Sequence, residues 1–233
     1  SDGWSLTAQR IKRLSSITLK LRRFEWLKLS EMQDIGGCRA VVSSVRRVDK
    51  LVRAYKHSDI KHKLDDEDDY IRNPKRSGYR GVHLIYRYHS DKKETYNGLK
   101  IEMQFRSTLQ HAWATAVETV GTFIQQALKS SKGEREWLRF FALMGTAIAL
   151  RERTAPVPDT PSSKTKLVQE LRQYARQLDV GARLKAYGAA LRALEQPSAQ
   201  NAHYFLLELD PVARRVIIKG YRSNELEQAS NEY

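Results

Sequence analysis

Apolar residues recur every three or four positions along much of the chain, and this spacing places side chains on one face of a helix. In residues 7–26 the pattern runs through dense positive charge, with Ile11, Leu14, Ile17 and Leu21 on one face. We therefore predict a basic amphipathic helix there. The same spacing predicts further helices over residues 48–55, 109–124, 137–148 and 167–191.

Strand signals lie between these helices. Residues 37–43 and 81–88 are short apolar runs that contain β-branched residues, and residues 99–106 alternate between apolar and polar positions. Two further strand-like runs, 204–209 and 214–219, flank an Asp-Pro pair. The charged residues 58–69, followed by Asn-Pro and Ser-Gly pairs, predict a functional loop.

These elements predict an α/β fold, in which a mixed β-sheet is flanked by helices and helical and small β elements are appended at the C-terminal end. Prolines between residues 154 and 163 predict a linker, Gly181 is a candidate interruption of the helical stretch behind it, and the composition changes again after Pro197. We divide the chain into a main domain (1–128), a helical extension (129–196) and a small β-containing segment (197–233).

The charge balance narrows the classes of partner. Lys and Arg total 41 against 27 Asp and Glu, and the resulting net charge of +14 attracts phosphates, nucleic acid or acidic membranes. No apolar run approaches the roughly 20 residues that cross a bilayer, which argues against a membrane protein. A single cysteine, Cys38, cannot form an internal disulfide. We expect a reduced, cytoplasmic protein.

Two short polar clusters contain candidate metal ligands. Asp34 and Arg39 adjoin the strand over residues 37–43, while Glu102, Gln104 and Arg106 share one face of the strand over residues 99–106. Mg²⁺ prefers a few carboxylates together with substrate phosphate oxygens. Asp34 and Glu102 are therefore candidate Mg²⁺ ligands.

A third cluster, residues 69–83, is a glycine-bounded loop with cations and an aromatic side chain. It contains Lys75, Tyr79, Arg80 and His83. Such a loop can stack a nucleobase and bind phosphates. It is a candidate binding site for a nucleotide.

Each of these residues has a plainer explanation when taken alone. Asp34 suits a turn or helix cap, Glu102 a solvated strand position, Tyr79 a core aromatic and His83 a hydrogen-bonded structural position. The co-occurrence of the three clusters is what favours a function.

The order of the motifs resembles the synthetase domain of the RelA/SpoT family over about residues 7–125. The motifs are Arg10-Ile-Lys12 with Lys20, then Asp34-Ile-x-Gly-x-Arg39, then Asp69-Tyr-Ile-x-x-Pro-Lys75-x-x-Gly78-Tyr79 with His83, then Glu102-x-Gln104-x-Arg106. This resemblance implies the RelA/SpoT synthetase fold and an Mg²⁺-dependent pyrophosphokinase, which moves pyrophosphate from ATP onto a ribose 3′ hydroxyl.

The resemblance also implies roles for individual residues. Arg10 and Arg39 would sandwich the ATP adenine, and Lys12 and Lys20 would lie near its phosphates. Asp34 and Glu102 would bind Mg²⁺, with Glu102 also a candidate base, and Tyr79 would stack on the acceptor base. The remaining acceptor-side residues would be Lys75, Arg80, His83, Gln104 and Arg106.

Within the family, the chain looks most like the small toxic synthetases and the fused toxin–antitoxin, anti-phage CapRel type. That subtype implies the 3′ CCA end of tRNA as the acceptor, inhibition of translation, and a C-terminal module that restrains the enzyme until a phage protein binds. An RNA acceptor fits the charge of +14. Two alternatives stay open: an alarmone synthetase that acts on GDP or GTP, and a catalytically silent nucleic-acid-binding module.

Overall fold

The computed structural model describes residues 6–12, 14–123, 135–194, 204–210 and 215–221. The chain forms two compact units. The first comprises Ser1–Ala116 and Leu138–Val168, and the second comprises Val117–Trp137 and Gln169–Tyr233. The domain boundaries expected from the sequence stay a prediction.

The first unit is built on a mixed sheet of five strands. The strands are β1 (Leu6–Ile11), β2 (Gly36–Val42), β3 (Lys63–Asp69), β4 (Val82–Arg87) and β5 (Lys100–Ser107). Their spatial order is β1-β2-β5-β4-β3, in which β2 and β5 are parallel and the other pairs are antiparallel. The predicted α/β fold class with a mixed sheet is confirmed.

Helices follow and connect these strands. They are α1 (Leu14–Arg23), α2 (Val45–Lys56), α3 (Thr108–Phe123), α4 (Arg135–Glu152), α5 (Lys164–Gln177) and α6 (Val180–Leu194), with short 3-10 helices at Leu29–Glu31 and Glu94–Tyr96. Among the described residues, no helix combines the length and apolar character that a membrane crossing requires.

The hydrophobic core lies between α2 and one face of the sheet. Ser44 caps α2, because its side chain accepts a hydrogen bond from the backbone N–H of Arg47 at 3.4 Å. Val48 and Val52 of α2 pack in one buried cluster with strand residues that include Leu84 and Phe105. Because neighbouring residues on a strand point to opposite faces, the polar residues between these apolar ones lie on the other face of the sheet.

The N-terminal prediction was wrong in part. Residues 6–11 form a strand, and the helix begins only at Leu14. The strand pairs antiparallel with β2, where Leu6 lies opposite Val41 and Ile11 opposite Gly36. Pairing with a distant strand therefore outweighs the local helical periodicity.

The acidic part of the charged loop is also a strand. β3 contains consecutive acids from Asp65 to Asp69 at an outer edge of the sheet. Asp65 pairs with Arg87 at 2.7 Å and Lys100 at 3.0 Å, which offsets its charge. Charged edges also oppose unwanted pairing with other strands. The sequence did not reveal this strand because its apolar alternation is absent.

The C-terminal elements match their predictions more closely. β6 (Tyr204–Asp210) and β7 (Arg215–Tyr221) form an antiparallel pair in which Tyr204 lies opposite Tyr221. The helical stretch is interrupted at Asp179, which has φ of 46°, and Gly181 lies inside α6. Ile124, expected on α3, lies outside the described residues.

Candidate active site

The polar face of the sheet brings the predicted site residues of three strands into register. Arg39 on β2 and His83 on β4 both lie opposite Gln104, which occupies β5 between them. Glu102, two residues earlier on β5, lies opposite Gly37. The alternation of β5, predicted from its sequence, thus places a carboxylate, an amide and a guanidinium on this face.

Hydrogen bonds join these side chains into a continuous network. Glu102 contacts His83 Nδ1 at 2.7 Å and accepts a hydrogen bond from Gln104 Nε2 at 2.6 Å. The Gln104 carbonyl accepts from Arg39 Nε at 3.1 Å and from Arg106 at 3.0 Å. Burial alone would raise the pKa of Glu102, but the contacts with His83 and Gln104 hold it below its ordinary value. Glu102 is therefore ionised and oriented.

Tyr79 extends this network from the loop before β4. Its hydroxyl lies 2.6 Å from His83 Nε2 and accepts a hydrogen bond from Arg106 at 2.7 Å. The Arg106 guanidinium also lies 5.0 Å from the centre of the Tyr79 ring. Burial raises the pKa of Tyr79, so the hydroxyl stays protonated. Glu102 and Tyr79 are thus linked through one imidazole.

Asp34 lies beside the network and holds two lysines. Lys12 Nζ is 2.5 Å and Lys20 Nζ is 3.0 Å from its carboxylate oxygens. Burial alone would raise the pKa of Asp34, yet the two ammonium groups hold it below its ordinary value. The three residues expected to serve ATP and the metal therefore meet at one place.

Asp34 and Glu102 line the same small recess, together with Gly37, Arg39 and Gln104. Its volume of about 10 Å³ suits a single water-sized particle. The described residues contain no group of three or more His, Cys, Asp or Glu that could hold a metal. Two carboxylates around such a recess fit Mg²⁺, which completes its shell with waters and substrate phosphates.

Gly37 permits β2 and β5 to approach at this recess. A Cβ atom at position 37 would lie 2.2 Å from the backbone oxygen of Glu102. At the neighbouring Gly36, a Cβ would meet nothing within 4 Å. The second glycine of the Gly-Gly pair is therefore the one that places Glu102.

The loop before β4 also carries a residue that the sequence analysis did not select. Tyr70 packs edge-on against Tyr79, with ring centres 5.8 Å apart, and Lys75 Nζ lies 4.1 Å from the centre of the Tyr70 ring. The same ammonium lies 5.7 Å from the Tyr79 ring centre. Tyr70 stands inside the motif that begins at Asp69, four positions before Pro74, and this was the available signal.

Arg80 is found in a different environment from the expected acceptor side. It is 2% exposed, and its guanidinium donates to the backbone oxygens of Ile71, Gly145 and Ala155 and to Thr154 Oγ1. These groups occupy its donors with protein acceptors. The geometry therefore indicates a structural role for Arg80 and argues against its direct contact with an acceptor.

Arg10 is placed only by its backbone. It lies on β1 opposite Gly37, adjacent to the recess, and its side chain lies outside the described part of the chain. Its expected pairing with Arg39 around an adenine therefore stays a prediction. The other predicted residues, from Lys12 to Arg106, all lie on or beside the same polar face except Arg80.

Comparison with known proteins finds similarity over the region that contains this site. Residues 9–122 match the family model described as "Region found in RelA / SpoT proteins". Two proteins of Bacillus subtilis (strain 168), GTP pyrophosphokinase YwaC and GTP pyrophosphokinase YjbM, are similar at 31% identity over 115 residues and 32% over 111 residues. The matches cover 47% and 46% of this chain, and 54% and 51% of the relatives. The chain thus spans about half the length of these curated relatives.

Solved structures share the fold. The small alarmone synthetase 1 from Bacillus subtilis bound to its product pppGpp has a TM-score of 0.56 and 23% identity, covering 64% of this chain and 74% of that one. A GTP pyrophosphokinase family protein from Streptococcus pneumoniae has a TM-score of 0.52 and 25% identity, covering 64% of this chain and 71% of that one. The resemblance to RelA/SpoT synthetases is confirmed over residues 9–122, whereas the toxic subtype stays a prediction.

Proposed function

We propose that this chain, which carries a RelA/SpoT region, is a pyrophosphokinase that transfers the β,γ-pyrophosphoryl group of ATP to a ribose 3′ hydroxyl. The observation that carries the proposal is the common polar face on which Asp34, Glu102 and Tyr79 meet. Phosphoryl-type transfer needs mainly alignment and charge stabilisation from the protein. The partly buried, interconnected arrangement supplies rigid alignment.

Glu102 is the general base in this proposal. The acceptor 3′ oxygen forms a bond to the β-phosphorus of ATP while the bond between that phosphorus and the α–β bridging oxygen breaks. The hydroxyl proton passes to Glu102, and AMP leaves. The lowered pKa of Glu102 keeps it ionised at neutral pH, and His83 and Gln104 hold its oxygens in place.

Asp34 and Glu102 would hold Mg²⁺ at the recess that they share. Bound Mg²⁺ would neutralise charge on the ATP phosphates. Lys12 and Lys20, which pair with Asp34 in the structure, lie where they can turn to those phosphates. Arg39, with Arg10, is the proposed contact for the adenine.

The acceptor lies on the Tyr79 side of the network. Tyr79 offers a ring for a base, and Lys75 is a nearby exposed cation. His83, Gln104 and Arg106 hold the Tyr79 and Glu102 side chains in a fixed relation. Lys75, His83, Gln104 and Arg106 therefore remain proposed acceptor-side residues.

GDP or GTP is the first candidate acceptor. Both curated relatives are named GTP pyrophosphokinases, and they resemble this chain across the region that contains the site. A free nucleotide needs only the residues next to Tyr79 and no wider basic surface.

The 3′ CCA end of tRNA is the second candidate, and the net charge of +14 favours it. Backbone phosphates provide affinity that does not depend on sequence when cations neutralise them. With this acceptor the enzyme would inhibit translation. Residues 197–233 would then be an antitoxin-like module that a phage structural protein releases.

Incubation of the protein with β- or γ-labelled ATP and either GDP, GTP or deacylated tRNA tests the activity and separates the acceptors. We expect labelled guanosine product for the first candidate and labelled tRNA for the second. Raising the salt from about 50 to 200 mM should weaken a tRNA reaction by tenfold or more, while a nucleotide reaction changes little. Absence of label in every acceptor, with ATP and Mg²⁺ present, contradicts the proposed activity.

A further inference from the structure

Arg80 directly follows Tyr79, and its side chain joins the Tyr79 loop to α4 and to the turn after that helix. It donates to Gly145 at 3.3 Å, to Ile71 at 3.1 Å and to Thr154 Oγ1 at 3.2 Å, and it also contacts the Ala155 oxygen. Ile71 belongs to the same loop as Tyr79, whereas Gly145 lies within α4 and Thr154 and Ala155 lie in the turn that follows it. One buried guanidinium thus bonds both segments.

A second, partly buried link joins the end of β5 to the last residue of α4. Glu152, the last residue of α4, accepts hydrogen bonds from Ser107 Oγ and, at 2.9 Å, from Gln110 Nε2. Ser107 directly follows Arg106, which bonds the Tyr79 hydroxyl. Burial lowers the pKa of Arg80, and the negative charge of Glu152 acts in the opposite direction. The first link therefore holds the residue that follows Tyr79, and the second holds the residue that follows its partner Arg106.

The segment after α4 is ordered, although prolines in its sequence predicted a linker. Val157 is 2% exposed, and its N–H donates to Thr146 Oγ1 at 2.9 Å. The loop and α4 also touch closely, since a Cβ atom at Gly145 would lie 2.8 Å from Cα of Gly78. A small displacement of α4 at Gly145 would therefore move Gly78, the residue before Tyr79.

We propose that Arg80 is a positioning residue for the acceptor side, which fixes Tyr79 by fastening its loop to residues 145–155. The proposal rests on the proposed function, since it assigns Tyr79 to the acceptor. The ATP-side residues Lys12, Lys20 and Asp34 pair with one another, whereas the described hydrogen-bond partners of Arg80 are Ile71, Gly145, Thr154 and Ala155. Loss of the fastening therefore weakens use of the acceptor and leaves use of ATP nearly unchanged.

Arg80→Lys tests this, because lysine keeps the charge but cannot reach four acceptors at once. We expect the acceptor KM to rise about tenfold while the KM for ATP stays within about twofold. Trypsin cleavage after the exposed Lys75 and Arg76 should also accelerate about tenfold, because the loop opens more often. Arg87→Lys, at an exposed position of β4, is the matched control and should change neither measurement.

Thr154→Val is a second variant, which removes one acceptor of Arg80 with little change in volume. It decides the question if circular dichroism shows that Arg80→Lys does not fold, and it should give the same pattern at about threefold. Equal changes in both KM values, or unchanged KM values and cleavage, overturn the proposal. If wild-type protein transfers no label, the proposed function fails, and the cleavage rates alone then decide whether Arg80 fastens the loop.

Discussion

At the scale of single residues, a small number of side chains hold Glu102 and Tyr79 in place. His83 contacts both, with one ring nitrogen 2.7 Å from Glu102 and the other 2.6 Å from the Tyr79 hydroxyl. Because an ionised carboxylate can only accept, the imidazole donates from Nδ1 to Glu102, and Nε2 makes the hydrogen bond with the Tyr79 hydroxyl. A change in any of these groups leaves a partly buried partner without its hydrogen bond.

Glu102→Gln should abolish most of the transfer activity while the protein stays folded. Glutamine has the same shape but cannot accept the hydroxyl proton, and general bases contribute about 10²–10⁴-fold to rate. Labelled-ATP assays measure the loss, and thermal unfolding checks the fold. Glu94→Gln, at an exposed position, is the control. Wild-type turnover in Glu102→Gln would show that the base is another group.

Tyr79→Phe and Tyr79→Ala should differ. Phenylalanine keeps the ring but leaves His83 and Arg106 without their partner, so we expect a free energy of unfolding lower by about 1–3 kcal/mol with acceptor use largely kept. Alanine removes stacking, which is worth about 1–3 kcal/mol per base, and should raise the acceptor KM with little effect on ATP. Steady-state kinetics with each substrate varied separates the two effects. An equal rise of both KM values in Tyr79→Ala would contradict the acceptor role.

At the scale of elements, the central pair of strands determines the recess. β2 and β5 run parallel and place Arg39, Glu102 and Gln104 on the same face of the sheet. The apolar face of the same strands packs on α2, so the core fixes the strand positions on which the polar face depends. Stability and site geometry are therefore coupled through these strands.

Gly37→Ala should disrupt this pair, because the new Cβ would lie 2.2 Å from the Glu102 backbone oxygen. The strands must separate locally, and we expect a destabilisation of several kcal/mol with loss of transfer. Gly36→Ala is the matched control, since its Cβ has no neighbour within 4 Å. Chemical denaturation of both variants measures the difference. Similar stabilities would show that the close approach is relaxed at little cost.

The acidic edge strand makes stability depend on pH. Lys100, which bonds Asp65, lowers the pKa of its carboxyl, and Arg87 adds to this effect. A lowered folded-state pKa stabilises the fold above the unfolded-state pKa of about 3.9, and this contribution is lost as pH falls through the folded value. Asp65→Asn should therefore be less stable than wild type at pH 7, and the gap should narrow below about pH 4. Urea denaturation across this pH range measures the gap, with the exposed Asp59→Asn as control. A gap that stays constant with pH would refute the linkage.

At the scale of the whole molecule, the candidate site and the C-terminal hairpin belong to different compact units. All described site residues belong to the first unit, and β6 and β7 belong to the second. A two-stranded hairpin is marginally stable by itself in water. The segment with the proposed regulatory role, residues 197–233, therefore lies wholly within the second unit.

Removal of residues 197–233 should change the behaviour of the enzyme if this segment is regulatory. We expect loss of activity or of inducibility, because a module that restrains an enzyme can also support its active state. Growth curves of cells that express the full and shortened chains, together with labelled-ATP assays on both purified proteins, measure the effect. Identical growth and identical transfer would refute the regulatory role.

Local sequence was sufficient to predict much of the fold and most of the residues that meet at the candidate site. The alternation of residues 99–106 predicted both the strand β5 and its polar face, since the side-chain period of a strand is fixed at two. The spacing of Asp34, Tyr79, His83 and Glu102 gave the candidate site and the family resemblance. The helical periods of α2, α3 and α4 follow from the same kind of local rule.

Tertiary structure alone decided the remaining features, because they depend on partners distant in the chain. Residues 6–11 are a strand only through pairing with β2, and the acids of β3 form a strand with cations from other strands. Arginine is a residue type that often binds phosphate, yet the Arg80 guanidinium donates its hydrogen bonds to backbone oxygens of α4 and of the turn that follows it. A sequence states which groups are available, whereas packing determines which of them are already bonded inside the protein and which remain for a substrate.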